Sequence, residues 1–282
     1  MSTSAASLPS RQPRARLPWG RWSTRAVALS YLAVMLIIPL AVILQDGLRD
    51  GLSGMWRMIT QPVAWHALVL SLWTAGLMAI VNAVMGTLTA YVLVRYRFPG
   101  KTVFNAIVDL PFAIPTLVTG VMLVVLYGPQ RALGAWLDQT LGIKIIFAPP
   151  GIILALLFIT FPFVVRTVQP VLQSLDREQE EAAATIGAGA WTTFRRVVLP
   201  ALAMPLTAGT LLSFARAIGE FGAIVIVAGN IPLRSQTAAV YVFGEVESEN
   251  QRAASAMSLV MLTIAFGLVV LVDWLQRRRD DG

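Results

Sequence analysis

Six apolar runs govern what this chain can become. They lie at residues 27–45, 66–94, 103–128, 150–170, 202–229 and 253–275, and each supplies about the 20 residues a helix needs to cross a bilayer. Hydrocarbon offers no partner for a backbone N–H or C=O, so a spanning segment satisfies its own hydrogen bonds as a helix or closes into a barrel. No stretch alternates apolar and polar residues as a barrel strand would. The expected fold is all-α, a polytopic membrane bundle of six transmembrane helices. Composition agrees, with 56% of residues hydrophobic and 13% charged, against about 25% charged in a soluble domain.

Residue chemistry excludes several functions. Without cysteine and with His66 as the single histidine, the chain has no disulfide framework, thiolate metal site or histidine cluster, and no metal is expected. No Ser-His-Asp set or carboxylate pair sits in a catalytic context. His66 beside Trp65 reads as interfacial, and Trp19, Trp22, Trp65 and Trp274, near span ends, read as interface belts facing membrane lipid.

The net charge of +7 could point to nucleic acid, but the basic residues fall where a membrane protein places them. Arg11, Arg14, Arg16, Arg21 and Arg25 precede the first span; Arg95, Arg97 and Lys101 join the second and third; Arg166, Arg177, Arg195 and Arg196 join the fourth and fifth; and Arg277, Arg278 and Arg279 end the chain. That side holds fifteen, the other six. No nucleic-acid partner is expected, and both termini are expected to be cytoplasmic. The first run, lacking a small-x-small cleavage site, reads as a retained anchor. The Arg/Pro/Ser-rich first 25 residues read as disordered.

The cytoplasmic loop between spans four and five carries "LDREQEEAAATIGAGAWTTFRRVVLP". Asp176, Glu178, Glu180 and Glu181 place negative charge where a helix dipole favours it, and Ala182, Ala183 and Ala184 are strong helix formers. A short helix is expected there. Gly187 and Gly189 should end it, Trp191 to Arg196 can form another turn or two, and Pro200 can open the fifth span. Ala183 and Gly187, four apart, leave a shallow face on which another backbone could pack.

Glu181-Ala182-Ala183, Gly187, and Leu199-Pro200 at the end of "VVLP" resemble the EAA motif of ATP-binding-cassette importer permeases, with Val197 where isoleucine is commonest. "RYRFPGKT", "DLPFAIPT", "FPFVVRTVQPVL", "FARAIGEFGA" and "AGNIP" are most similar to the sulfate/thiosulfate permeases of the CysT type, with molybdate permeases next. The resemblance implies a type I (MetI-like) architecture and a loop that docks on separate ATPase subunits. It implies as partners two cytoplasmic ATPase subunits, a second permease that is CysW-type or a second copy, and a periplasmic sulfate/thiosulfate-binding protein. No cofactor is expected on this chain, since ATP would be bound by the partner subunits. The domain reading is a basic cytoplasmic tail over 1–26, the first span and outer loop over 27–60, a permease domain over 61–276 with its coupling loop at 176–200, and a tail over 277–282. Alternatives of other kinds are a molybdate/tungstate permease of the same fold and a gradient-driven secondary transporter.

Other features have bland readings beside functional ones. "RFPGKT" lacks the first glycine of a phosphate loop, having Arg95 there, and reads as a basic turn. Asp109, Arg216 and Glu220 fall inside spans, where charge should face protein or water. Arg216 and Glu220, spaced i, i+4, should pair, with Asp109 as a second partner for Arg216; the pair is a gate that exchanges partners or a permanent structural link. Thr116, Thr119 and Ser213 could line an anion path or bond their own helix carbonyls. Pro111, Pro115, Pro162 and Pro170 are expected to kink helices. "AAVYVFGEVESEN", ending in Glu245, Glu247 and Glu249, reads as a surface or re-entrant segment or a solvated loop.

Overall fold

The computed structural model describes residues 19–280, and every regular element among them is a helix. The tail expected over 1–26 lies outside the described residues as far as position 18. The chain is helical from Trp19, earlier than expected, so residues 19–26 belong to the helix that carries the first span, Ser23–Gly47.

The chain divides into two compact units, one up to Leu44 and one from Gln45. The first contains α1 (Trp19–Leu32), a π-helical turn (Ala33–Ile37) and most of α2 (Ile38–Gly47). Its apolar side chains, Val27, Leu36 and Ile37 among them, are exposed, as suits a lipid-facing anchor.

The second unit begins with α3 (Gly51–Ile59), followed by α4 (Pro62–Arg95), α5 (Lys101–Ala113), α6 (Thr116–Tyr127), α7 (Ala132–Leu141) and α8 (Pro149–Ser174). The loop helix α9 (Arg177–Thr185) leads to α10 (Ala190–Thr193), a π-helical turn (Phe194–Val198) and α11 (Leu199–Ile218). Then come α12 (Gly222–Val227), α13 (Ala238–Glu247) and α14 (Gln251–Asp280). Five helical stretches are long and apolar enough to cross a membrane, and the α5–α6 pair makes a sixth if taken as one bent span.

That pair departs from the expected single kinked helix over 103–128. α5 and α6 meet at 108°, because Pro115 bars Ile114 from helical backbone and Ile114 is extended, with φ −87° and ψ 126°. Pro111, Pro162 and Pro170 stay inside helices without breaking them. The run expected over 202–229 also breaks, at Gly219–Phe221. Glycines hold the two broken spans together. A Cβ on Gly120 would lie 2.8 Å from the Ala223 carbonyl oxygen and 2.9 Å from Ile226 Cβ, and one on Gly222 would strike Thr116 Oγ1. α6 and α12 therefore pack at backbone distance.

Both π-helical turns come just before a proline, Pro39 and Pro200. Proline lacks the N–H for an i−4 bond and crowds that carbonyl, and a widened turn relieves the clash. The Leu199 N–H accordingly reaches back five residues, to the Phe194 carbonyl. The expected separate second loop helix is thus continuous with the fifth span, which runs Ala190–Ile218.

The core lies where α4, α8 and α11 pack, around buried Met78, Ile152, Leu156 and Ile218. α13 is a helix rather than a solvated loop: Ala238 and Tyr241 are buried with Leu68 of α4 and Met257 of α14. Burial, reinforced by the Glu245 charge, pushes the Tyr241 hydroxyl up to about 12.

Candidate functional site

The EAA-like loop folds by local rules. The Asp176 side chain accepts the Glu178 N–H at 3.1 Å and caps α9, with Glu178 and Glu180 in its first turn. At the other end Gly187 has φ +83°, its N–H reaches the Ala184 carbonyl at 3.0 Å, and the Ala188 N–H reaches Ala183 at 3.0 Å. This is a Schellman cap, which needs a residue at ease in the left-handed region. No atom lies within 4 Å of a Cβ built on Gly187. The glycine is required by the turn and faces open space.

Glu181, Ala182 and Gly187 are exposed, and Ala183 is half-buried. The loop also displays Ile186 and Trp191, 86% and 71% exposed, which the sequence reading did not single out. Trp191 is stacked on Phe194 at 5.8 Å. Leu199 and Pro200 sit past the π-helical turn, where the loop becomes span. The result is a protruding turn with small residues, two exposed apolar side chains and acids at its base.

Inside the bundle, Arg216 Nη1 and Glu220 Oε2 are 2.7 Å apart. Glu220 is buried, and its Oε1 accepts the Ala223 N–H at 3.1 Å, so one carboxylate pairs a cation and holds the break between α11 and α12. Asp109 is not the second partner of Arg216. It forms a two-pronged pair with Arg166, whose Nε and Nη2 donate to Asp109 Oδ1 and Oδ2 at 2.6 Å each. Arg166 also donates to the Asn105 side chain at 2.9 Å, the Asn105 carbonyl at 2.8 Å and the Gln169 side chain. All five of its N–H groups are engaged.

Arg166 therefore belongs to span α8 and not to the following loop. The signal was present in the apolar Val168, Val171 and Leu172 beyond it, which extend the run to Ser174. Asp109 and Arg166 each lie eight residues from the α9 end of their helices, about 12 Å along the helix at 1.5 Å per residue. Asp109 is 49% exposed, and a charge within a span faces water or another polypeptide rather than lipid.

The hydroxyls divide. Ser213 is buried and donates across to the Thr160 carbonyl at 3.3 Å, and Thr119 is buried with no hydrogen-bond partner for its Oγ1. Thr116 is half-buried at the start of α6. No cluster among the described residues could hold a metal ion.

Residues 82–281 match the family described as "Binding-protein-dependent transport system inner membrane component". The chain is 43% identical, over 89% of its length and 88% of the relative's, to the "Probable sulfate transport system permease protein cysT" of Nephroselmis olivacea. It is 41% identical to the sulfate transport system permease protein CysT of Synechocystis sp. (93% and 89% covered) and 40% identical to that of Escherichia coli K12 (89% and 90% covered). Among solved structures it resembles a chain of a bacterial ABC transporter that imports alginate, with a TM-score of 0.75 at 15% identity over 93% of this chain and 96% of that one. A chain of the MetNI methionine ABC transporter gives 0.53 at 18% identity, covering 78% and 98%.

Proposed function

Because this chain belongs to the family of binding-protein-dependent transport system inner membrane components, we propose that it is the permease subunit of an ATP-driven importer that brings sulfate or thiosulfate into the cytoplasm. The substrate rests on the sulfate permeases to which it is 40–43% identical. A molybdate or tungstate permease of the same fold is the less favoured reading.

The protein lies in the cytoplasmic membrane with both termini and the α9 loop inside, since basic residues cluster on that side. Moving Arg166 into the span leaves that asymmetry intact. The loop docks on one of two cytoplasmic ATPase subunits, which bind the ATP; this chain holds no cofactor. A periplasmic binding protein delivers the anion, and a second permease, CysW-type or a second copy, completes a path of which one bundle is half. ATP-driven closure of the ATPase pair displaces α9, and because α10 runs unbroken through the π-helical turn into α11, the displacement enters the fifth span as a rigid element. Arg216, at the break above α11, is the cation best placed to meet an anion there, with Glu220 holding it until the anion arrives.

The observation that carries this reading is the exposed, Schellman-capped loop, with Ile186 and Trp191 displayed around Gly187. It is tested with the chain, its partner permease, ATPase and binding protein in liposomes. Gly187→Val forces a β-branched residue to positive φ, which costs about 1–2 kcal/mol. That variant should hydrolyse ATP with little sulfate uptake, or lose the ATPase, and Gly187→Asn should be milder because asparagine tolerates that backbone. Undiminished uptake by Gly187→Val would remove the coupling role from this loop.

A further inference from the structure

Glu180 precedes the EAA triplet and is the acid of this loop that turns inward. Its Oε1 lies 2.5 Å from Arg95 Nη2, with the two side chains 17% and 9% exposed, whereas Glu178 and Glu181 are exposed. Arg95 is the last residue of α4. Its Nη2 also donates to the carbonyl of Leu175, which caps α8, at 3.2 Å, and its own carbonyl accepts from Arg177 of α9 at 3.4 Å. The Tyr91 hydroxyl reaches Glu180 Oε2 at 3.5 Å, and the Tyr91 ring meets Phe194 edge-on at 5.5 Å. The end of α8 and the loop helix α9 therefore converge on the guanidinium at the end of α4, and the start of the fifth span packs on the neighbouring Tyr91 ring.

We propose that Arg95 is a positioning residue for energy coupling, the link through which movement of α9 enters α4. The inference rests on the transport reading above and adds a second point of entry to the covalent one through α11. α9 has no fully buried residue, so apolar packing cannot grip it; a sheltered ion pair resists both pull and push, where an apolar contact would slide. Arg95 also differs from Arg166 in kind. Arg166 has every donor engaged, as a fixed brace requires. Arg95 Nε is buried with no acceptor, which leaves the guanidinium free to change partners when α9 is displaced.

The test uses the full assembly in liposomes and reads sulfate imported per ATP hydrolysed. Arg95→Gln should keep the ATPase bound and active, while uptake per ATP falls about tenfold, within the usual range of coupling energies between sites. Should Arg95→Gln fail to assemble, Glu180→Gln carries the same test, because it removes the charge and keeps an acceptor for Tyr91. The exchange Arg95→Glu with Glu180→Arg should recover much of the loss, and the ratio of sulfate imported to ATP hydrolysed in the assembled complex is a readout that a purely structural pair would not move. Unchanged uptake per ATP in the single variants, loss explained by release of the ATPase, or no recovery on exchange would each overturn the proposal. Failure of the wild-type assembly to import sulfate with ATP would instead strike the transport reading itself, before any variant is compared.

Discussion

At the scale of single residues, the two intramembrane cations pose different problems. Arg166 is braced by Asp109, Asn105 and Gln169, so Asp109→Ala strips two charge-assisted bonds and leaves a cation in the span. The loss should be about 2 kcal/mol, in the range for hydrogen bonds to charged groups, and less than for a fully buried pair because Asp109 is half exposed. Thermal unfolding of the purified protein in detergent should show a lowered Tm, with Arg166→Met restoring much of it in the double variant. An unchanged Tm in Asp109→Ala would mean that the pair carries no stability. The Arg216–Glu220 pair was legible in the sequence because i, i+4 spacing on a helix suffices to predict it. The partner of Asp109 was not, since it depends on α5 packing against α8, and an arginine near the end of an apolar run reads as a loop anchor. Glu180 was equally hidden: four acids on one short stretch look alike until Arg95 singles one out.

At the scale of elements, hydropathy located the spans and misjudged their continuity. The apolar run over 103–128 does not register its 108° bend, nor the run over 202–229 its break, because both arms are hydrophobic and only Pro115 and the Gly219–Gly222 stretch mark these places. The close contact of α6 with α12 depends on Gly120. In Gly120→Val the new Cβ would meet the Ala223 carbonyl oxygen at 2.8 Å, a backbone atom with little room to move, and overpacking of this kind costs about 1–3 kcal/mol. Its Tm should fall by several degrees. Gly219→Ala should leave Tm unchanged, since nothing lies within 4 Å of its Cβ and its φ is −86°. Equal behaviour of the two variants would show that the α6–α12 contact is not stabilising. The loop was the most readable element, because acids, alanines and a glycine at fixed spacing specify a capped helix locally. Its union with the fifth span was not readable, since a proline after a basic stretch signals a helix start as readily as a widened turn.

At the scale of the whole molecule, the chain is an inner membrane component of a binding-protein-dependent transport system. Its own residues supply a membrane bundle, a protruding loop and the Asp109–Arg166 and Arg216–Glu220 pairs. The most direct measurement is uptake of labelled sulfate by liposomes holding the chain with its partner permease, ATPase and binding protein, with and without ATP, and with molybdate as competitor. Uptake should require ATP and the binding protein and should withstand modest molybdate. Efficient competition by molybdate would contradict the substrate, and uptake driven by an ion gradient without ATP would contradict the mechanism.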